Sequence, residues 1–429
     1  MPWWIYRFGA AGSALAVFLG MSCLYGWGDR ELYRQILSAH GIVPFSFPFV
    51  DASGSLAAWE CARQGIDVIL SDPCDVLKRG YTYSPLWMAA AATPLGVADT
   101  TAVGWSLDLV FLLSLSLLPP PQRPLELVLA LTATLSTMVV FALERANPDI
   151  MLFLLALATG FLTQYRLPFR LFGYFLGLAA ALVKYYPVMV LLVAFRERIP
   201  VFCAVGLATV GSLTVFGIEY HAEIASGLPN IARGPYNTDL FSAQNLPFLL
   251  GEVVENATAS PRVGYITAGG VYAILVGACI AIWRRLLLFT EFRTGLTSLP
   301  DLDRVLLVIG SAVIAGCFFA GQSIGYRGVF LLFVLPGLLG IARSPVRKLR
   351  ALGLGTAVVV VLLMWSECLR LALEGAGTGG AAVLLWLLRE LCWWWTVSVM
   401  LAVLADFLQE APILRAMLSP FGRSTVRLG

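Results

Sequence analysis

The chain has 429 residues, 59% of them hydrophobic and 13% charged, and its mean hydropathy is +0.81. A soluble protein of this length cannot bury so much apolar surface, so the composition excludes a soluble globular enzyme and predicts a polytopic membrane protein. The net charge of +3 is too small to indicate a nucleic-acid partner.

Apolar stretches of about 20 residues recur along the chain, which is the length that an α-helix needs to cross the hydrocarbon layer. They lack the period-two alternation of barrel strands, so we expect an all-α protein with about 10–12 transmembrane helices in a single membrane domain, 1–429. The first stretch is too long for the apolar core of a signal peptide, and we expect it to be retained. The expected spans are 8–27, 99–118, 124–143, 149–165, 199–218, 265–283, 304–322, 328–342, 351–370 and 383–407.

The basic residues predict which side of the membrane each loop occupies. Arg7, Arg123, the basic run at 343–350 and a tail over 408–429 fall on one side, which the positive-inside rule assigns to the cytoplasm. Two long segments, 28–98 and 219–262, fall on the opposite side. Short helical stretches over 56–63 and 87–92 are expected to lie along the membrane interface.

The segment 166–198 is basic at both ends, which predicts that both ends are cytoplasmic. Two full spans do not fit into it, so we expect a hairpin of two short helices with Lys184 at its tip, where Pro187 breaks the helix. The alternative is one kinked helix, which would invert every later span.

Asp51 precedes a helical stretch and lies among apolar and aromatic neighbours. A carboxylate in such surroundings is a candidate general base, whereas the alternative is a helix N-cap. The run at 144–149 carries Arg145, Asn147 and Asp149 between two apolar spans. It is either a hydrogen-bonding ledge in which Arg145 pairs with a phosphate, or a tight turn that begins a helix.

Lys184 is costly in hydrocarbon because its neighbours are apolar, so a functional role as a phosphate ligand is weighed against a lysine that reaches the interface. Arg327, in a short outer turn, is either a second phosphate ligand or a solvated arginine. Gln244 and Asn245 are candidate sugar ligands or turn caps. His221 is a candidate proton carrier or metal ligand, but the chain has only two histidines and no ligand spacing, so we expect no metal.

Cys61 and Cys74 lie in the polar segment after the first helix, where either a disulfide or two free thiols is allowed outside the cytoplasm. The sequence has no Walker loop, nucleotide fingerprint or serine-hydrolase elbow, and no room for a soluble nucleotide-sugar domain. A sugar donor for an outward-facing site must then be membrane-borne, which a polyprenyl-phosphate sugar satisfies. Its phosphate needs Lys or Arg, its lipid needs an apolar groove, and its acceptor needs a base.

The order of these motifs resembles the multi-spanning GT-C glycosyltransferases, most closely glycosyltransferase family 87, the polyprenyl-phosphate-mannose-dependent α-mannosyltransferases. The resemblance covers about residues 1–340, and its motifs are short and degenerate but ordered. They are Asp51 before Trp-Glu-Cys-Ala-Arg-Gln-Gly at 59–65, Tyr-x-Tyr-x-Pro-Leu at 81–86, Asn-Pro-Asp at 147–149, Leu-Gly-Leu-Ala-Ala-Ala-Leu-Val-Lys-Tyr-Tyr-Pro at 176–187, and Ser-Ala-Gln-Asn-Leu at 242–246. The chain departs from the family at Ala146, where a Gly is usual, and in its cysteine-bearing first loop.

The resemblance implies a GT-C-like bundle and an inverting hexosyltransferase in which Asp51 is the base and mannose is the sugar. We expect it in a bacterial inner membrane with its site facing the periplasm, acting on a lipid or glycan acceptor without a metal or other cofactor. The remaining expected site residues are the phosphate ligands Lys184, Arg145 and Arg327, and the sugar or acceptor ligands Asn147, Asp149, Tyr83, Gln244, Asn245 and His221.

Two other functions remain open from the sequence. A flippase or transporter for a lipid-linked glycan would need charges along a path through both halves of the membrane, and the cytoplasmic half is expected to hold only Arg389, Glu390 and Asp108. A glycan polymerase or ligase would use a lipid diphosphate donor instead of a monophosphate.

Overall fold

Helices dominate the computed structural model, which describes residues 2–69, 72–228, 231 and 234–416. Over these residues the extended structure is limited to one isolated bridge between Phe241 and Ser323. The α-helices are α1 (Trp3–Trp27), α2 (Arg30–Ala39), α3 (Val50–Arg63), α4 (Thr100–Ser114), α5 (Pro124–Thr134), α6 (Thr137–Arg145), α7 (Pro148–Leu162), α8 (Leu167–Lys184), α9 (Ile199–Glu219), α10 (His221–Gly227), α11 (Asn245–Thr258), α12 (Pro261–Leu288), α13 (Thr290–Thr297), α14 (Asp301–Ala320), α15 (Leu331–Ala342), α16 (Arg347–Gly375) and α17 (Gly379–Gln409). The 3₁₀ helices are Pro85–Ala92, Val97–Asp99, Leu115–Leu117, Tyr186–Arg196 and Gly325–Phe330.

Ten helical stretches in the described residues are long and apolar enough to cross a membrane, and Pro148–Leu162 and Tyr186–Arg196 are shorter apolar helices. The all-α polytopic membrane class is therefore confirmed. Several helices run past the expected spans, because a hydropathy window ends at the first charges whereas helical hydrogen bonding continues beyond them. The expected tail over 408–429 lies outside the described residues from position 417 onward.

α14 and α15 form the centre of the bundle. In the most apolar stretch of α14, 78% of the residues are buried, and in Gly325–Ala342 the share is 83%. The corresponding share in α1, α9 and α12 is 11%. The three outer helices therefore turn most of their apolar surface toward lipid. α14 packs against α15, α17 and the 3₁₀ helix Tyr186–Arg196. Phe153 of α7 stacks on Phe333 of α15, with ring centroids 4.1 Å apart, and joins α7 to this core.

Ion pairs hold one end of the bundle together. Arg343 pairs with Glu126 at 2.7 Å, and Arg293 pairs with Asp406 at 2.9 Å. The arginines of these pairs belong to loops that the sequence assigns to the cytoplasm. The end of α15 is thus joined to the first turn of α5, and α13 is joined to the last turns of α17.

The segment 166–198 folds back on itself at Tyr185, between α8 and the 3₁₀ helix Tyr186–Arg196. Glu197 accepts a hydrogen bond from Tyr174 at 2.8 Å and pairs with Arg170, so the two arms meet at their base. The expectation of two short helices is wrong for the first arm, since α8 has 18 residues. The second arm has 11 residues. It is about 22 Å long, because a 3₁₀ helix rises about 2.0 Å per residue.

α3 is longer than the expected helical stretch over 56–63 and is mostly buried within the protein. It begins at Val50, and ten of its fourteen residues are buried. Its small residues, among them Ala52, Ala57 and Ala58, allow close packing against α4, α6 and the 3₁₀ helix Pro85–Ala92. This packing fixes the position of Asp51 in the first turn of α3.

Close packing of α15 on α16 depends on Gly353. A Cβ atom there would lie 2.7 Å from the Ala342 nitrogen and 2.8 Å from the Leu338 oxygen. Because backbone atoms cannot move aside, Gly353→Ala is expected to lower the free energy of unfolding by about 1–3 kcal/mol, measured as thermal unfolding in detergent. Gly355→Ala is the control, since nothing lies within 4 Å of its Cβ. Equal melting temperatures for the two variants would contradict this packing.

Candidate functional site

Asp51 is held inside the protein by the start of α3. Phe49, at φ 65°, precedes the helix, and its backbone N–H donates to the Glu144 carbonyl at 2.7 Å. Asp51 lies in the first helical turn, and its side chain is 11% exposed. Its carboxylate contacts side chains of other segments, so the N-cap alternative for Asp51 is wrong.

Both carboxylate oxygens of Asp51 are engaged. Asn147 Nδ2 donates to Oδ2 at 2.7 Å, and Arg79 Nη1 donates to Oδ1 at 2.9 Å. Burial opposes the charge of Arg79, but its contacts with Asp75 and Asp51 outweigh that effect and raise its pKa above the usual value. Arg79 is therefore a permanent cation beside Asp51.

The turn at 144–149 is both a helix start and part of the site. α6 ends in the left-handed residue Ala146, at φ 42°. Asn147 is the N-cap of α7, since its Oδ1 accepts the Asp149 N–H at 2.9 Å, and Pro148 occupies the first helical position. One amide thus serves two purposes, because Oδ1 caps α7 while Nδ2 reaches Asp51.

Asp149 lies between two cations. Lys184 Nζ donates to its Oδ1, and Arg327 Nε lies 3.4 Å from its Oδ2. The carboxylate is fully buried, while the side chains of Lys184 and Arg327 are 10% and 21% exposed. Arg327 Nε and Asp149 Oδ2 make no hydrogen bond within the described part of the chain. These three side chains together carry a formal charge of +1.

Tyrosines wall the space around Lys184. Its ammonium lies 5.1 Å from the Tyr83 ring centroid and 5.9 Å from that of Tyr326, and Tyr186 lies 5.1 Å from the Arg327 guanidinium. Burial raises the pKa of Tyr83 well above its usual value, with the Asp51 carboxylate adding to the effect. The Tyr83 phenol therefore stays protonated and able to donate a hydrogen bond.

Backbone strain concentrates at these side chains. Five non-glycine residues among those described have positive φ, and four adjoin site residues. Phe49 precedes α3, Lys78 precedes Arg79, Ala146 precedes Asn147, and Tyr185 follows Lys184. Such conformations cost about 1–3 kcal/mol each and persist where the surrounding structure enforces them, which is common at functional sites. The positive φ of Ala146 also explains why a glycine suits that position.

Four expected ligands lie outside this cluster. The Arg145 guanidinium pairs with Glu144 and lies 4.1 Å from the Phe45 ring centroid. Asn245 is buried and donates to the Leu240 carbonyl at 2.8 Å, which makes it a support for its own loop. The backbone N–H of Gln244 donates to Ser242 Oγ at 3.1 Å, and no bond from Gln244 to the cluster occurs among the described residues. His221 is exposed on α10 and contacts the Ile218 carbonyl.

Arg79 is the main residue that sequence reasoning missed, together with Asp75 and the roles of Tyr186 and Tyr326. The only signal was an acid four residues before an arginine, a common spacing in solvated segments. Arg389 and Glu390 were expected in the half of the membrane opposite the 219–262 segment, and the structure contradicts that separation. Arg389 donates to the backbone oxygens of Thr238 and Leu240, so it lies toward the 219–262 segment.

A disulfide joins Cys61 at the end of α3 to Cys74, with their Cα atoms 5.9 Å apart. Cys61, Asp72 and Cys74 are close enough to hold a metal ion, but both sulfur atoms are bonded to each other. Near the cluster, a groove with a cavity volume of about 90 Å³ runs between α1, α2, α4 and α6. Its walls are mostly apolar, with Phe49, Trp105 and Glu144 among them.

We compared the chain with protein-family models, curated proteins and solved structures, and none of them matches it. The resemblance to glycosyltransferase family 87 therefore rests on the motifs quoted above.

The two cations on Asp149 give a direct test of the cluster. Asp149→Asn leaves Lys184 and Arg327 buried without a counter-charge, which is expected to lower the free energy of unfolding by about 3 kcal/mol. Thermal unfolding in detergent measures this. Asp301→Asn is the matched control, because Asp301 is 78% exposed and lies 3.7 Å from Arg196. A similar melting temperature for both variants would show that Asp149 does not hold the cluster together.

Proposed function

We propose that the protein is an inverting glycosyltransferase that moves a sugar from a polyprenyl-phosphate donor to an acceptor hydroxyl. The observation that supports this most is the turn Asn147-Pro148-Asp149. Through Asn147 it contacts a carboxylate suited to act as a base, and through Asp149 it contacts two cations suited to bind a phosphate. Transfer from a phosphate-linked sugar needs these two functions a short distance apart.

The charge of the cluster supports an anionic donor. Both cations, Lys184 and Arg327, share the one carboxylate of Asp149, and the three side chains sum to +1. The phosphodiester of a polyprenyl-phosphate sugar carries one negative charge and would balance it. Arg327 Nε, a buried donor with no hydrogen bond among the described residues, would gain a phosphate oxygen as partner.

The proposed reaction is a single displacement. The acceptor oxygen attacks the anomeric carbon as Asp51 takes its proton, and the bond from that carbon to the phosphate oxygen breaks. The electron pair leaves with the phosphate, whose added negative charge Lys184 and Arg327 stabilise. Attack and departure on opposite faces invert the anomeric centre. The phenol of Tyr83, protonated and close to Lys184, is suited to a sugar hydroxyl or a phosphate oxygen.

The surroundings support a lipid-borne substrate. The groove beside the cluster has mostly apolar walls, and Phe18, Trp105 and Leu143 belong to them. An isoprenoid chain would be stabilised there as it is in the bilayer. By the family resemblance, we propose mannose as the sugar, a lipid or glycan as the acceptor, and the periplasmic face of a bacterial inner membrane as the location.

Replacement of the proposed base tests the reaction. Asp51→Asn and Asp51→Ala are each expected to lower the transfer rate by about 10²–10⁴-fold, since no group then accepts the acceptor proton. The measurement is transfer of radiolabelled sugar from a synthetic polyprenyl-phosphate donor in proteoliposomes. Glu31→Gln is the control, because Glu31 is an acid of the same outer segment that is 64% exposed.

Two further arms separate the base from the phosphate ligands and from other functions. Lys184→Gln is expected to weaken donor binding, whereas Asp51→Asn leaves it intact. Wild-type transfer rates in both Asp51 variants would end the base assignment. Transfer from a polyprenyl diphosphate donor alone would favour a polymerase or ligase, and lipid movement without bond formation would favour a flippase.

Sidedness is tested by cysteine labelling in intact cells. In a background whose six free cysteines are replaced, Val76→Cys is expected to react with a membrane-impermeant maleimide, because this position is 62% exposed in the proposed outer segment. Lys348→Cys, in the basic run, is expected to react only after the cells are opened. The reverse pattern would place the site in the cytoplasm.

A further inference from the structure

Arg79 is the part of the site that neither the motifs nor the proposed reaction uses. Its guanidinium donates to three acceptors at once: Asp51 Oδ1 at 2.9 Å, Asp75 Oδ2 at 2.9 Å and the Val50 carbonyl at 2.9 Å. Asp75 is buried, and its carboxylate also accepts the Arg79 backbone N–H at 3.0 Å. The guanidinium is therefore fixed in one orientation against the first turn of α3.

The face of α3 that carries Asp51 is shaped to receive this arginine. Gly54 lies one turn after Asp51, and a Cβ atom there would be 2.4 Å from Arg79 Nη2. Any larger residue would push the guanidinium away from Val50 and Asp51. The same face continues through Ala58 to Cys61, where it is covered by the segment that carries Arg79.

The disulfide anchors that covering segment. Cys74 is bonded to Cys61 and is followed directly by Asp75, the residue that orients Arg79. Between the anchor and Arg79 lie four residues, and the last of them, Lys78, has φ 51°. The disulfide and this short, strained connection together restrict where the Arg79 guanidinium can lie.

We propose that Arg79 is a positioning residue for Asp51, that Gly54 provides the space for it, and that the Cys61–Cys74 disulfide holds it in place. This inference rests on the proposed function of Asp51. Arg79 fixes one carboxylate oxygen and Asn147 fixes the other, so the pair sets the direction from which an acceptor hydroxyl approaches. Reduction of the disulfide frees the 72–79 segment, so that Arg79 no longer holds the Asp51 carboxylate in one orientation.

Other ionisable groups also face Asp51, so the test must isolate Arg79 from them. They are Asp75 from the covering segment, Glu144 from α6, Lys184 from α8, and the phenols of Tyr83 and Tyr326. Gly54→Ala achieves this, because it displaces the Arg79 side chain and changes no charge. Alanine also favours the helical conformation, so α3 is expected to persist.

The first measurement is the split between kcat and the donor KM. Gly54→Ala and Arg79→Gln are each expected to lower kcat by about tenfold or more with donor KM unchanged, since misplacement of a catalytic group by about 1 Å costs up to about 10²-fold. Arg79→Lys is expected to recover part of the rate. Gly12→Ala, where nothing lies within 4 Å of the new Cβ, and Arg34→Gln, at an exposed arginine, are the controls. A raised donor KM with unchanged kcat in Arg79→Gln would make Arg79 a substrate ligand and overturn the proposal.

The second measurement concerns the disulfide. Reductant, or the double variant Cys61→Ser with Cys74→Ser, is expected to lower kcat in the wild type and to have no further effect in Arg79→Gln. An undiminished effect of reductant in Arg79→Gln would show that the disulfide acts on the fold in general, and the proposed link would fail.

A third measurement does not depend on glycosyl transfer. Labelling of Asp51 by a carbodiimide, quantified by mass spectrometry, is expected to increase in Arg79→Gln, in Gly54→Ala and after reduction, because the carboxylate then loses Arg79 and keeps only Asn147 as a side-chain partner. Equal labelling in all forms would overturn the positioning role. Increased labelling in a protein that transfers no sugar would instead support the positioning role of Arg79 and rule out the proposed glycosyl transfer.

Discussion

The hydrogen bond from Asn147 to Asp51 is the contact on which the rest of the site depends. It joins the first turn of α3, a helix from the segment between α2 and α4, to the start of α7 in the bundle. Because the same side chain caps α7, a shift of Asp51 would disturb the helix whose second residue, Asp149, holds Lys184 and Arg327. The base candidate and the cation pair are thus placed by one rigid turn.

This arrangement explains why strain is tolerated around the site. Phe49, Ala146 and Tyr185 each adopt a conformation that disfavours an L residue, and each ends or begins a helix beside a charged group. Hydrogen bonds and ion pairs between these charged groups are stronger away from water, and this stabilisation offsets the cost of the strained backbone. The helix ends fix the short side chains of Asp51, Asn147 and Asp149, which in turn hold the longer cations, so an incoming substrate would meet groups that are already oriented.

The site is also built from two kinds of structure with different stability. Asn147, Asp149 and Arg327 belong to α7 and the 3₁₀ helix Gly325–Phe330, which pack in the central core. Arg79 and Asp75 belong to a segment with little regular structure that a disulfide ties to α3. The proposed phosphate ligands Asp149 and Arg327 are therefore held by the bundle, whereas Arg79, beside the proposed base, lies in a segment with a covalent anchor.

The sequence alone determined the membrane class. A chain that is 59% hydrophobic, with its apolar residues in stretches long enough to span a bilayer as helices, cannot bury them in a soluble fold. It also pointed to Asp51, Asn147, Asp149, Lys184 and Arg327, since charged and amide groups in apolar surroundings are costly enough to be conspicuous, and the motif resemblance added Tyr83. Only the tertiary structure decided which of them meet. It joined Asp149 to Lys184 and Arg327, left His221 and Arg145 apart, and revealed Arg79 beside Asp51. Contacts such as Arg79–Asp51 span 28 positions and depend on a turn and on the small size of Gly54, and no local pattern of residues encodes such a meeting.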